Sequence, residues 1–172
     1  KAQMVSIGEH YELLDGAGKP PIETFSAEQL KPVRAMITAG GQAIPALGVA
    51  VAAAYLHVPP DRISLVPGQV LTFRDAAFPD GTTRTLSLPV DRTGSLLVSY
   101  AGRWEDGPFP YFSFVDVWDA IKEGREAELH QQVSGKVVLL LHAALGSDKR
   151  ETPLELTAPG GFILANVVNT LL

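Results

Sequence analysis

Apolar and polar positions along the chain change period several times, and each change predicts an element. Near the start, "QMVSIG" predicts one strand, followed by irregular chain through the turn-rich "DGAGKPP" to Pro32. The Ala-rich stretch from Pro45 to Leu56 predicts a helix, with Pro45 in its first turn and Pro59-Pro60 barring continuation past His57. From Ile63 to Tyr100 the signal becomes short β-prone runs separated by Pro67-Gly68, "FPDGTT" and "DRTG". Ile63/Leu65 and Leu86/Leu88/Val90 alternate with polar neighbours, as half-buried strands do, so the middle of the chain reads as a small antiparallel element.

Helical signals return after that. Ser113 with Asp116 forms an S-x-x-D capping signature, which opens a helix at Phe114 that runs to Gly124. Glu126 to Val133 predicts a further short helix closed by Gly135. The unbroken apolar run Val137 to Leu141 predicts a strand buried on both faces. Phe162 to Leu172 has helical spacing, with Ile163, Val167 and Leu171 on one side. Together these predict an α/β fold: a mixed, partly parallel sheet flanked by helices, with the antiparallel element in the middle of the chain.

Composition narrows the function classes. A chain of 172 residues, 46% apolar, can bury one core, and a single domain over residues 1–172 is expected. A formal charge of -5 creates no field that would gather phosphates, so no nucleic-acid partner is expected. The absence of cysteine excludes disulfides, thiolate metal sites and a cysteine nucleophile. The longest apolar stretch, Ile44 to Leu56, holds thirteen residues interrupted by Pro45 and Gly48, too short for the about 20 that cross a bilayer. The chain opens at Lys1 and stops in "NTLL" within an amphipathic pattern, which reads as a fragment of a longer polypeptide.

Candidate chemistry is sparse. Histidines 10, 57, 130 and 142 lack metal-ligand spacing, so neither a metal nor another cofactor is expected. "GAGKPP" lacks the Ser/Thr and the helix of a phosphate loop. Asp106, Asp116 and Asp119 lie near Trp104, Phe109, Tyr111 and Phe112, a composition that could line an aromatic pocket for a sugar or an amine. The competing reading makes Asp116 a cap, leaves Asp119 in water and puts the aromatics in the core. Asp148, beside Lys149 and Arg150, reads either as a loop ion pair or as a ligand contact, and Thr152-Pro153 either as loop rigidification or as part of the same site.

Five blocks in series, "IPALGVAVAAAYL" (44–56), "LPVDRTGSLLVSYAG" (88–102), "FSFVDVWDAI" (112–121), "GKVVLLLHAALGSDKRETP" (135–153) and "PGGFILANVVNTLL" (159–172), resemble the C-terminal part of the CHASE type 2 family. Its members are sensory extracellular domains of bacterial cyclases, histidine kinases and serine/threonine kinases. The resemblance implies a non-catalytic, extracytoplasmic input domain on the periplasmic face of an inner membrane, with membrane helices just beyond Leu172. Its partner would be a small periplasmic solute or a protein, and its C-terminal helix would be the output element. His142, Asp148, Thr152, Trp104 and Tyr111 are then the expected ligand contacts. Two departures stand out: His142 occupies a place where the family carries glycine, and the family's N-terminal portion is missing. Two other classes remain open at this point. One is a structural module that forms a homodimer; the other is a hydrolase assembled from Ser113, His142 and Asp148.

Overall fold

The computed structural model describes residues 3–7, 10–14, 23–26, 32–141 and 148–172. The chain opens with an antiparallel meander of β1 (Gln3–Ile7), β2 (His10–Leu14) and β3 (Glu23–Ser26). The predicted first strand is present; the segment expected to be irregular contributes two more. β4 (Val33–Arg34) leads into a hairpin of β5 (Met36–Ala39) and β6 (Gln42–Pro45). Gly40 and Gly41 both take positive φ in its two-residue turn, a geometry that glycine adopts without a steric cost.

Helix α1 (Leu47–Tyr55) follows. Pro45 belongs to the preceding strand rather than to the first helical turn, and Ala46 is the cap. At its other end Leu56 caps the helix and His57 turns the chain at φ 54 before the two prolines. The predicted antiparallel element is present as the meander β7 (Ile63–Val66), β8 (Val70–Ala77) and β9 (Thr83–Pro89). The central strand β8 carries a bulge between Phe73 and Ala76. One extra residue there restores the inward phase, so Leu71, Phe73 and Ala76 all reach the core. Asp75 turns outward at φ 54 and pairs with Arg62 at 3.2 Å.

After the "DRTG" turn, β10 (Ser95–Leu96) pairs with β4. The Asp91 carboxylate accepts from the Thr93 and Ser95 amides at 2.8 and 2.9 Å and so sets that turn. The capping signature is realised at α2 (Phe114–Lys122): Ser113 Oγ accepts from the Asp116 amide, and Asp116 Oδ2 accepts from the Ser113 amide. Helix α3 (Glu126–Val133) ends ahead of Gly135, which takes positive φ. The short strands β11 (Lys149–Arg150) and β12 (Ala158–Pro159) pair antiparallel, and α4 (Gly160–Leu171) closes the domain.

Every strand pairing among the described residues is antiparallel, so the expected partly parallel sheet is not formed. The error lies in Val137 to Leu141. That run pairs with no strand; Val137, Leu139 and Leu141 are half-buried, while Val138 and Leu140 are 65% and 95% exposed. A parallel partner needs a crossover of a dozen or more residues, whereas the strands of this chain are joined mostly by short turns that return antiparallel.

The core lies between α1, the β7–β9 meander and α4. Val49, Ala52 and Ala53 of α1 and its cap Leu56 share one buried cluster with Leu71 and Phe73 of β8 and with Val167 and Leu171 of α4. Small residues let the two helices approach closely: a Cβ at Gly48 would stand 2.5 Å from Cγ1 of Val167. The predicted stripe of the terminal helix is therefore buried, with Ile163 at its edge.

Candidate functional site

Helix α4 does two things at its two ends. Its later turns sit in the core, and its polar residues hold the extended chain beside it. Asn166, fully buried, accepts from the Ala101 amide at 2.9 Å through Oδ1 and donates to the Phe162 carbonyl at 2.8 Å through Nδ2. Thr170, one turn on, accepts from the Ser99 amide at 2.9 Å and donates to the Asn166 carbonyl at 2.7 Å. Segment 99–101 is thus tied to the helix by side chains standing in for a neighbouring strand.

The first turn carries an aromatic cluster. Phe162, buried, is the hub: Trp104 meets it edge-on at 5.7 Å, Phe109 at 6.0 Å and Tyr100 at 6.4 Å. Tyr111 lies 5.6 Å from Trp104 and opens the cluster to solvent. Trp104 is carried on the 3-10 turn Trp104–Asp106, and its amide donates to Glu155 Oε1 at 2.7 Å. Burial pushes the Tyr100 hydroxyl above the ordinary phenol range.

Asp148 reaches the same turn from another direction. Its carbonyl accepts from the Gly160 amide at 2.8 Å, and its carboxylate packs so closely on Gly160 that a Cβ there would collide with both oxygens. A carboxylate at a helix N-terminus is favoured by the aligned peptide dipoles. Arg150 pairs with it at 3.1 Å, the loop ion pair foreseen as the alternative reading. Leu141 covers the next residue, Gly161, where a Cβ would overlap its side chain.

Of the five expected contacts, Trp104 and Tyr111 are brought together beside Phe162, whereas Asp148 packs on Gly160, two residues earlier and on a different face of the same turn. Thr152 is buried, and its hydroxyl is engaged within its own turn, accepting from the Leu154 and Glu155 amides at 3.3 and 3.2 Å. His142 lies outside the described residues. Phe162, Glu155 and Asn166 were not foreseen. The signal for Asn166 and Thr170 was present: two polar residues four apart share one face of a mostly apolar helix and need partners there, while Asn169 lies off that face in solvent.

A concavity of about 340 Å³ lies between α2 and α3 and is lined by Phe112, Asp116, Asp119, Glu123, Arg125 and Glu128 among others. Its charges are largely satisfied internally. Arg125 pairs with Glu123 at 2.6 Å and Glu128 at 3.4 Å, which raises the guanidinium's affinity for its proton. Hydrogen bonds from Ser113 hold the Asp116 carboxyl below the usual range. Among the described residues no group of His, Asp or Glu is arranged to hold a metal ion.

Helix α4 thus has its later turns in the core and its first turn under the aromatic cluster. The CHASE2 domain model matches residues 26–172, and the chain belongs to that family. CHASE2 domains are extracellular sensory domains of signalling proteins and are not themselves catalytic. The match begins ahead of the first of the five sequence blocks, which starts at Ile44. No curated protein and no solved structure matches the chain. No helix among the described residues is long and apolar enough to cross a membrane.

Proposed function

We propose that this domain is the periplasmic input module of a bacterial membrane-bound signalling protein, a histidine kinase, serine/threonine kinase or nucleotide cyclase, and that α4 relays its state. The observation carrying this reading is that one rigid helix bears both the aromatic hub Phe162 and the core residues Val167 and Leu171. A small solute or a partner protein seated against Trp104 and Tyr111, or against the Asp148 carboxylate on another face of the same turn, would press on the end of that helix. The opposite end is the one that would adjoin membrane helices following Leu172. Binding moves the helix only insofar as the ligand prefers one placement, and a coupling of about 1–3 kcal/mol is the usual scale.

The test combines stability and distance. Solutes are screened by thermal shift against the parent chain, Trp104→Ala and Asp148→Asn; the reading expects stabilisation of the parent that both variants reduce. Because the chain has no cysteine, spin labels can be placed at Asn169→Cys on α4 and Thr85→Cys on β9, both exposed positions. An active solute should change that distance distribution. A stabilising solute whose effect both variants keep, or one that leaves the distances unchanged, contradicts the reading.

A further inference from the structure

Helix α2 turns its apolar stripe to water. Phe114, Val115, Trp118 and Ile121 are 74%, 61%, 49% and 48% exposed, while Ala120 is its buried residue. At about 100° per residue, Phe114, Val115, Ile121 and Lys122 all fall within about 60° of Trp118, and Ala120 points to the opposite side. The stripe is preorganised: Phe114 stacks on Trp118 at 6.3 Å, and Lys122 Nζ reaches to 5.2 Å from the Trp118 ring.

The order of these residues is self-complementary. Phe114 and Lys122 stand at equal distances either side of Trp118, as do Val115 and Ile121. We propose that this face is a homotypic interface, through which two copies of this chain pair by antiparallel packing of α2 about a two-fold axis at Trp118. The axis brings Trp118 against itself and keeps each rim of the stripe on its own side, so Phe114 lies beside Ile121 of the second copy. On the other rim Lys122 of each copy lies along the other's Val115, on the side that also carries its Asp119. Antiparallel helices also oppose their dipoles favourably. The area fits: the four apolar side chains leave roughly 450 Å² in water. With a polar rim, that approaches the about 800 Å² per partner of a standard interface, in which homodimers are about 65% apolar. This inference does not depend on the ligand reading above.

Sedimentation of the 172-residue chain tests it, since a dimer is expected at micromolar concentration. Trp118→Glu sets two carboxylates face to face on the axis and should weaken association about 100-fold or more. Its melting temperature, extrapolated to the monomer, should be kept, because the side chain points outward; Val115→Glu provides a second variant if it is not. Register is read by mixing Phe114→Cys with Ile121→Cys chains under a short thiol cross-linker. The mixture should link well and each variant alone poorly. A monomeric parent chain, a Trp118→Glu dimer of unchanged strength, or equal linking by the single variants overturns the proposal. A monomer that binds phosphatidylcholine vesicles through this stripe would do so too, assigning the face to lipid.

Discussion

The two helices α4 and α2 are both amphipathic, and their stripes meet opposite fates. The stripe of α4 ends in the core, where Val167 and Leu171 face α1 through the gap left by Gly48. The stripe of α2 ends in water. Periodicity reports which face of a helix is apolar and says nothing of what will cover it. The difference lies in the neighbours: α4 packs on a small-residue helix and shares its buried cluster with the meander, whereas α2 adjoins the short, mostly polar α3. By this comparison the region of α1, β7–β9 and α4 carries the stability, and segment 104–141 carries exposed surface available for contacts.

Substitutions can break that division. The largest effect is expected for Phe73→Ala, which empties the fully buried centre of β8 and should cost about 3–5 kcal/mol in denaturant unfolding. Gly48→Ala comes next, since its Cβ has no room beside Val167 and the helices must part; about 1–3 kcal/mol is expected. Asn166→Leu should cost a similar or slightly smaller amount, about 1–3 kcal/mol, because the half-buried bond from the Ala101 amide loses its acceptor. If any of these three left stability unchanged, the core would lie elsewhere.

Smaller effects sharpen the other side. The folded Asp116 carboxyl titrates below the ordinary value, so its cap is fully formed above the unfolded-state pKa and is lost as pH falls through the depressed folded pKa. The Ser113 amide resonance should therefore move only below about pH 4, and Asp116→Asn should abolish that movement. Leu140→Ser should change stability least, within about 0.5 kcal/mol, as that side chain is already in water. A loss above that range would mean that the run is covered after all.

Much of this architecture is legible in the sequence where local chemistry decides it. The S-x-x-D cap of α2, the prolines beyond α1, and the alternation in β7 and β9 all act through neighbours a few residues away. Val137 to Leu141 was misread because an apolar run has the same composition whether one face or both are covered, and only pairing partners distinguish the two. The candidate site was half legible for the same reason. Trp104, Tyr111 and Asp148 are residue types that announce themselves, but where they settle, the first two beside Phe162 and the third on Gly160, depends on residues whose roles exist only once the chain is folded. Asn166 lies between these cases, a polar interruption in an apolar helix whose partner, the Ala101 amide, is 65 residues away.

Relay through α4 requires that the helix be part of the cooperative core rather than an appendage. Amide hydrogen exchange of the chain tests this most directly. Amides of residues 167–171 should exchange only through global unfolding, as slowly as those of Leu71 and Phe73, while α3 exchanges through local opening and far faster. Exchange in α4 as fast as in α3 would contradict the account.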